Sequence, residues 1–480
     1  HAHIDHSGLI PLMYVNGFRG QVYSTSATAQ LCEIMLRDSA HIQMFEAEWR
    51  NRKAARSGGK LKEFVPLYDM DAAVNVCKQF VGCEYDRVYD IAEGIKIRFT
   101  DVGHLLGSAS IEVWATEKTE NGDVTEKIVF SGDIGNINKP IIKDPKHVTD
   151  ADYVVMESTY GNRSHGGTPN YVEDLTNIFK RTFERGGNVV IPSFAVGRTQ
   201  ELLYIIRKIK EDNLVGRDFD VYMDSPLAIE ATNIFIKNVE SCFDDEAVEL
   251  VRKGINPLSF PGLKYATTGD ESKQINFDPN PKVIISSSGM CEAGRIRHHL
   301  KHNLWRPECT IVFVGYQAVG TTGRIIVDGA EEIKLFGEPI QIKAEIVQLK
   351  GSSGHADKDG LLCWINAFDT KPKKVFVVHG EDSVCDEFTE CLKEEYGYDA
   401  MAPYTGGSYD LIADRVISEG VKERKTRRTT STQRGKTVFD RLVAAGKRLM
   451  TVITHNEGGT NKDLAKFTDQ INALCDKWDR

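Results

Sequence analysis

The sequence predicts an α/β fold, on three observations. Between about residues 187 and 330, strand-like and helix-like runs alternate four times. NVVIPSF leads into RTQELLYIIRKIKED, DFDVYMDSP into LAIEATNIFIKNV, PKVIISSSGM into RIRHHLKHNL, and TIVFVGYQ into GTTGRIIVDG. Four such units in succession indicate a parallel sheet with helices on its faces. Short β-rich runs dominate on either side: IKIRFTDVGHLLGS, IEVWAT, KIVFSGDIG and ADYVVMESTYG before, EPIQIKAEIVQL and KKVFVVHGE after. Finally, 480 residues at 41% hydrophobic and 27% charged suffice for two or three domains with a large buried core.

In chain order, residues 1–22 read as a loop. A helix follows around TAQLCEIMLRDSAHIQMFEAEWRN, where apolar residues recur at helical spacing, and RKAARSGGK reads as a solvated basic loop. Another helix is expected after GHADKDG. Beyond about residue 416, KERKTRRTTSTQRGK holds seven Lys/Arg within 422–436 against one Glu. It is either a solvated linker or a segment that contacts phosphates. The terminal run puts Leu464, Phe467, Ile471 and Leu474 on one helical face. That helix either packs on its own domain or pairs with a second copy as a homodimer.

The net charge of -9 argues against a general nucleic-acid coat, though not against a local basic cleft. The ten cysteines include no CxxC pair, so they read as free thiols in a reducing cytoplasm. No run of about 18 apolar residues is present, and no membrane span is expected.

The chemistry concentrates at the first residues, HAHIDH. In an extended segment His1 and His3 point to the same side and can grip one metal ion. Asp5 and His6 lie just beyond and can turn toward a second. Nitrogen and carboxylate ligands of this kind suit Zn²⁺ with a position left open for water. Further donors recur in one setting: His104 follows IKIRFTDVG, Asp133 follows KIVFSG, and His379 follows KKVFVV. Each stands at the end of a β-run beside glycine, where a rigid sheet can bring distant residues together. Taken singly, each would read as an ordinary turn residue. With HAHIDH they read as one metal site.

HAHIDH, GHLLGS and SGDIG, in that order, resemble the metal motifs of the metallo-β-lactamase fold. MESTYG, SSGHAD and VVHGE resemble the three further motifs of its β-CASP branch of nucleases. The likeness covers roughly residues 1–415. It implies a metallo-β-lactamase αβ/βα sandwich with an inserted β-CASP α/β domain. On that reading residues 1–167 and 346–415 form the metallo-β-lactamase domain, 168–345 the inserted domain, and 416–480 a basic linker with a helical tail. The resemblance further implies two Zn²⁺ per chain: one on His1, His3 and His104, the other on Asp5, His6 and His379, with Asp133 bridging. Glu157 matches the acidic motif, and His355 matches the histidine placed near the scissile phosphate.

Two metals about 3.5–4 Å apart can acidify a shared water and neutralise phosphate oxygens. The departing oxygen needs a proton, which His355 can supply if Glu157 holds it charged. DNA-repair members of the branch carry an apolar residue where this chain has His379, so the resemblance favours single-stranded RNA. It leaves endonuclease and 5′-to-3′ exonuclease action both open. Members of the family also carry strands before the HxHxDH run. The resemblance therefore implies that residues precede His1 in a longer protein, and that the chain without them binds zinc poorly and aggregates.

Several loops of the inserted region offer groups for phosphate: Ser287, Ser288 and Gly289 just before an expected helix, Arg198 in PSFAVGRTQE, and Arg324 in GTTGR. Ordinary strand-to-helix capping explains the same residues equally well. The three histidines of RIRHHLKHNLW read as a solvated or interdomain helix face. Two other functions share parts of this pattern. A hydrolase of small esters or thioesters would use the same ligands, but has no need of a clamp for a polymer. A non-catalytic RNA-processing subunit has no need of a complete ligand set.

Overall fold

The computed structural model describes residues 1–56, 64–120, 122–164, 166, 170–349, 353–421, 446, 449–450, 452–454, 456 and 461–478. The basic stretch 422–436 lies outside them. The chain forms two units, one of residues 1–40 with 70–421 and one of residues 41–69 with 422–480.

The first unit begins with two short helices, α1 (Ile4–Ser7) and α2 (Ile10–Val15), so the loop expected over residues 1–22 is partly helical. The reason is local. The His3 carbonyl accepts from the N–H groups of His6 and Ser7, and Pro11 sits in the first turn of α2, where its missing N–H does no harm. β1 (Val22–Thr25) pairs in parallel with β2 (Phe80–Cys83), with α3 (Ser26–Arg56) and α4 (Met70–Cys77) between them in sequence. α3 runs on through Arg52–Arg56, so the first five residues of the expected basic loop are helical.

Four strands then form an antiparallel meander: β3 (Val88–Ala92), β4 (Ile95–Asp101), β5 (Ala109–Thr119) and β6 (Gly122–Phe130). β7 (Tyr153–Met156) joins β6 in parallel. After the inserted region, β16 (Lys374–Val377) and β17 (Ala400–Met401) extend the sheet in parallel, giving the order β17-β16-β7-β6-β5-β4-β3. β4, β6, β7 and β16 therefore run the same way and end at one edge. α13 (Lys358–Ile365) and α14 (Asp382–Glu394) cover a face of this sheet, burying Leu361, Trp364, Phe388 and Leu392 against Val129, Val154 and Val375. A fully buried side chain of this size contributes roughly 1.5–3 kcal/mol.

The inserted region is a second sheet of six parallel strands, as the alternation predicts. It comprises β8 (Val189–Pro192), β9 (Asp220–Asp224), β10 (Leu263–Tyr265), β11 (Lys282–Ser286), β12 (Thr310–Phe313) and β15 (Glu345–Gln348), in the order β10-β9-β11-β8-β12-β15. β8 and β12 are buried along their whole length, as strands covered on both faces must be. The connecting helices are α5 (Tyr171–Glu184), α6 (Arg198–Glu211), α7 (Pro226–Lys237), α8 (Val239–Cys242), α9 (Asp245–Arg252), α10 (Gly269–Phe277), α11 (Ile296–Asn303) and α12 (Thr322–Val327). Ser225 caps α7 through the Ala228 N–H, and Thr268 with Glu271 forms a capping box on α10.

EPIQIKAEIVQL divides between two sheets: β13 (Glu332–Leu335) and β14 (Glu338–Gln341) form a hairpin, and β15 joins the six-stranded sheet. That sheet thus extends three residues past position 345. A hairpin of β18 (Ser408–Asp410) and β19 (Arg415–Ser418) runs past position 416. In the second unit, α15 (Asn461–Trp478) carries the apolar face read from the sequence, with Leu464, Phe467 and Ile471 half-buried and Leu474 exposed.

Candidate active site

Each donor read from the sequence stands where a strand of the seven-stranded sheet ends: His104 beyond β4, Asp133 beyond β6, Glu157 immediately after β7 and His379 beyond β16. The loops carrying them meet His1 and His3, still extended, and Asp5 and His6 on the first helical turn. Ser108 fixes the His104 loop, its Oγ accepting from the N–H of His104 (3.0 Å) and of Leu105 (3.1 Å). Gly103 has φ +65° and packs against the Lys143 carbonyl, an approach that a side chain would block.

The first set of donors is tight and buried. His1 Nε2 lies 3.0 Å from His3 Nδ1 and 3.2 Å from Asp133 Oδ2, and His104 Nε2 lies 3.3 Å from His3 Nδ1 and 3.7 Å from Asp133 Oδ2. Four donors held tetrahedrally about 2.0–2.1 Å from one metal stand about 3.3 Å from each other. The second set is looser and more open. His6 Nε2 is 3.2 Å from Asp133 Oδ1 and 3.8 Å from Asp5 Oδ2; His379 is 3.5 Å from Asp133 Oδ1 and from Asp5 Oδ2. The Asp5 side chain is 63% exposed and that of His379 33%, against 2% for Asp133. Asp133 Oδ1 is buried yet accepts no well-formed hydrogen bond among the described residues. Such an atom is costly unless something else occupies it. The donors thus fit a metal ion.

Protonation follows burial and pairing. Burial lowers His3 to about 4 and holds His104 well below the usual imidazole range, so both are neutral, the form that binds metal. His379 is pushed up to about 9 by its hydrogen bond to Asp5. Burial disfavours the charge on Asp133, but His6 and the neighbouring imidazoles outweigh it and keep the carboxyl ionised.

Beside this centre, Glu157 is buried and accepts from the N–H of Ile134 (2.6 Å), the N–H of Thr159 (3.2 Å) and His355 Nδ1 (3.1 and 3.2 Å). Burial opposes charge on His355, yet the bond to Glu157 and its charge raise the imidazole above its ordinary value. With Nδ1 held by Glu157, Nε2 is the nitrogen left for a ligand. Its ring centroid lies 4.5 Å from that of His104 and 5.9 Å from that of His379.

The five residues of the inserted region are placed differently. Ser287 Oγ meets Ser225 Oγ (2.8 Å), Ser288 Oγ bonds the Ala293 backbone, and the Gly289 carbonyl accepts from Gln317 Nε2 (3.0 Å). Arg198 pairs with Glu201, and Arg324 Nε with Asp328 (2.8 and 2.9 Å). The helix read at RIRHHLKHNL is α11 (Ile296–Asn303), but turns and bends over Met290–Arg295 separate it from Gly289, which does not stand at its N-terminus. Of the three histidines of RIRHHLKHNLW, His298 and His302 are exposed, as read, and only His299 departs from a solvated face. His299 is fully buried, its Nε2 2.6 Å from Asp224 Oδ2 and its Nδ1 2.9 Å from Asn276 Oδ1.

Sequence reasoning passed over Lys139. Its Nζ donates to the His104 carbonyl (3.1 Å) and pairs with Glu201 Oε1 (3.0 Å), tying the metal loop to the first turn of α6. Lys139, Arg198, Glu201 and Ser353 line a cavity of about 560 Å³ between the two sheets' domains. Thr159 was also missed; its Oγ1 lies 3.1 Å from His379 Nδ1. No local pattern flags either residue, since both partners are distant in sequence.

Two family models match the chain: the Beta-Casp domain over residues 199–326, and the Zn-dependent metallo-hydrolase RNA specificity domain over residues 339–403. The chain is similar to ribonuclease TTHA0252 of Thermus thermophilus, 33% identical over 382 residues, covering 80% of each chain. It is also similar to an RNase J-like protein of Methanocaldococcus jannaschii, 31% identical over 79% of this chain and 80% of that one. Transcription termination factor FttA of Methanosarcina mazei is 32% identical over 84% of this chain, which spans 61% of that longer protein. Fold and donor set together define a metal-dependent hydrolase of the metallo-β-lactamase fold. Within that class, the chain belongs to the β-CASP family of nucleases. Among the described residues no helix is long and apolar enough to cross a membrane.

Proposed function

We propose that this chain is a zinc-dependent ribonuclease that hydrolyses phosphodiesters of single-stranded RNA, as an endonuclease or from the 5′ end, leaving 5′-phosphate and 3′-hydroxyl ends. The observation that carries the reading is the convergence of His1, His3, Asp5, His6, His104 and His379 on Asp133, whose buried Oδ1 has no well-formed hydrogen bond among the described residues. The names of the relatives, ribonucleases among them, support RNA as the substrate. His1, His3, His104 and Asp133 would hold one zinc ion, and Asp5, His6, His379 and Asp133 a second. Bound there, zinc supplies Lewis-acid polarisation of the phosphate and an acidified water.

The chain's own groups do the rest. Glu157 fixes the His355 ring through Nδ1 and favours its charged form, so that Nε2 carries a proton toward the departing 3′-oxygen. Asp5, the most exposed of the donors, stands where solvent reaches the site and orients the attacking water. Cysteines unpaired throughout support a reducing compartment such as the cytoplasm.

The test is a 5′-labelled single-stranded RNA with the zinc-loaded chain, products resolved on a denaturing gel. Expected are chelator-sensitive fragments or mononucleotides, and a loss of turnover in His355→Ala with zinc content unchanged. Intact RNA from a chain holding two zinc ions would overturn the reading in favour of a small-ester hydrolase.

A further inference from the structure

We propose that Phe194 is a stacking platform for one nucleobase of the RNA next to the scissile phosphate. The inference rests on the ribonuclease reading above and adds to it the residue that sets how the strand lies.

The argument starts from topology. The chain enters the six-stranded sheet at β8, passes to β9 and β10 on one side, returns to β11, and then crosses to β12 on the other. β8 is thus where the strand order reverses. In open parallel sheets, the crevice outside the strand ends at such a point is where ligands bind. The residues that follow β8 there are Ser193 to Gly197, and Phe194 is 44% exposed among them.

The loops on both sides are shaped around that ring. A Cβ added at Gly289, beyond β11, would fall 3.1 Å from Phe194 Cδ2; one added at Gly315, beyond β12, would fall 3.9 Å from Cε2. One ring edge therefore packs against Gly289, where a side chain would crowd it, while Gly315 beyond the other flanking strand leaves ordinary contact distance. The backbone beneath is fixed: Ser193 N–H donates to the Ser286 carbonyl (3.0 Å), and Thr199 Oγ1 donates to the Phe194 carbonyl (2.7 Å). A ring held this way loses little freedom on binding.

The same loop reaches the metal centre. A Cβ at Gly197 would fall 2.9 Å from Leu105 Cδ1, and Leu105 follows His104. Three residues of chain span at most about 11 Å, so Phe194 belongs to a loop that abuts the loop carrying His104. An isolated exposed phenylalanine needs no explanation. One packed against Gly289 at the switch point, within a loop that abuts the loop carrying His104, does. Every base has a π-face, so an aromatic platform gives sequence-tolerant grip on a single strand.

The experiment uses the zinc-loaded chain and a single-stranded RNA whose cleavage site has been mapped. Abasic nucleotides are then placed one at a time on either side of that site. Phe194→Ala is expected to lower kcat/KM on the intact RNA on the order of 10- to 100-fold. Phe194→Trp is expected to restore it. Zinc content, melting temperature and hydrolysis of a small phosphodiester should stay at wild-type values. One abasic position should lower the wild-type rate by a similar factor and leave Phe194→Ala unchanged, because the stack is already gone. Phe277→Ala, exposed at the end of α10, serves as the control and should behave as wild type. RNA cleavage by Phe194→Ala at the wild-type rate, or losses that multiply at every abasic position, would overturn this inference alone. A wild-type chain that hydrolyses the small diester but neither binds nor cleaves RNA would overturn it together with the proposed function.

Discussion

Asp133 and Asp224 are both buried carboxylates just beyond or at the end of a strand, one in each sheet, and their surroundings differ. Asp224 has a full set of donors: Arg295 Nη1 at 2.7 Å, His299 Nε2 at 2.6 Å and Ser272 Oγ at 2.5 Å. Asp133 is ringed by imidazoles, and among the described residues its Oδ1 accepts no well-formed hydrogen bond. Histidine and aspartate occur at both places, so residue type does not separate them. Satisfaction does. A buried carboxylate with both oxygens hydrogen-bonded holds a domain together, whereas one ringed by crowded imidazoles marks a place for a cation.

Substitution at the two positions should divide along this line. Asp133→Asn is expected to lower RNA turnover by at least about three orders of magnitude, with zinc per chain reduced and circular dichroism unchanged. Wild-type zinc content in that variant would remove the contrast. His355→Ala should lose on the order of 10²- to 10⁴-fold in kcat while keeping its zinc. A parallel loss of zinc would demote His355 from proton donor to structural support.

Asp224→Ala should act on stability, lowering it by about 3–5 kcal/mol because Arg295 and His299 keep their burial and lose their partner. Turnover per folded molecule should stay near wild type, and a kinetic defect without a melting shift would contradict the assignment. A smaller effect is expected at Glu112, a buried residue of β5 held by side chains of β4 and β6. Burial disfavours its charge, but Arg98 (2.7 and 2.6 Å), Lys127 (2.8 Å) and Thr100 (2.7 Å) outweigh that and lower its pKa. A lowered folded pKa stabilises above the unfolded value of about 4.3 and is lost as pH falls through the folded value. Glu112→Gln should therefore melt lower than wild type at pH 7, and the gap should close below about pH 4. A gap that does not depend on pH would mean that packing, not charge, holds Glu112.

The cluster of candidate metal donors was legible because its signals are local: a dense HxHxDH run, and single donors beside glycine after β-runs. The parallel sheet was legible because four strand–helix units recur. Less legible was the start of the chain, where donors sit on a four-residue helix too short to show a period. His299 carried a signal that went unused. Ile296, His299, Leu300 and Asn303 follow the i, i+3, i+4, i+7 spacing of a buried face, and all four are buried. The contacts of Lys139 with Glu201, and of Ser225 with Ser287, join residues 62 apart in sequence and could come only from the fold.

The most direct test of the account is a zinc titration of the metal-free chain, with bound zinc and RNA cleavage followed together. Cleavage should rise with the second equivalent, the first filling the buried set around His1, His3 and His104 and the second the more open set around His379. Cleavage at full rate without metal, or intact RNA with two equivalents bound, would contradict it.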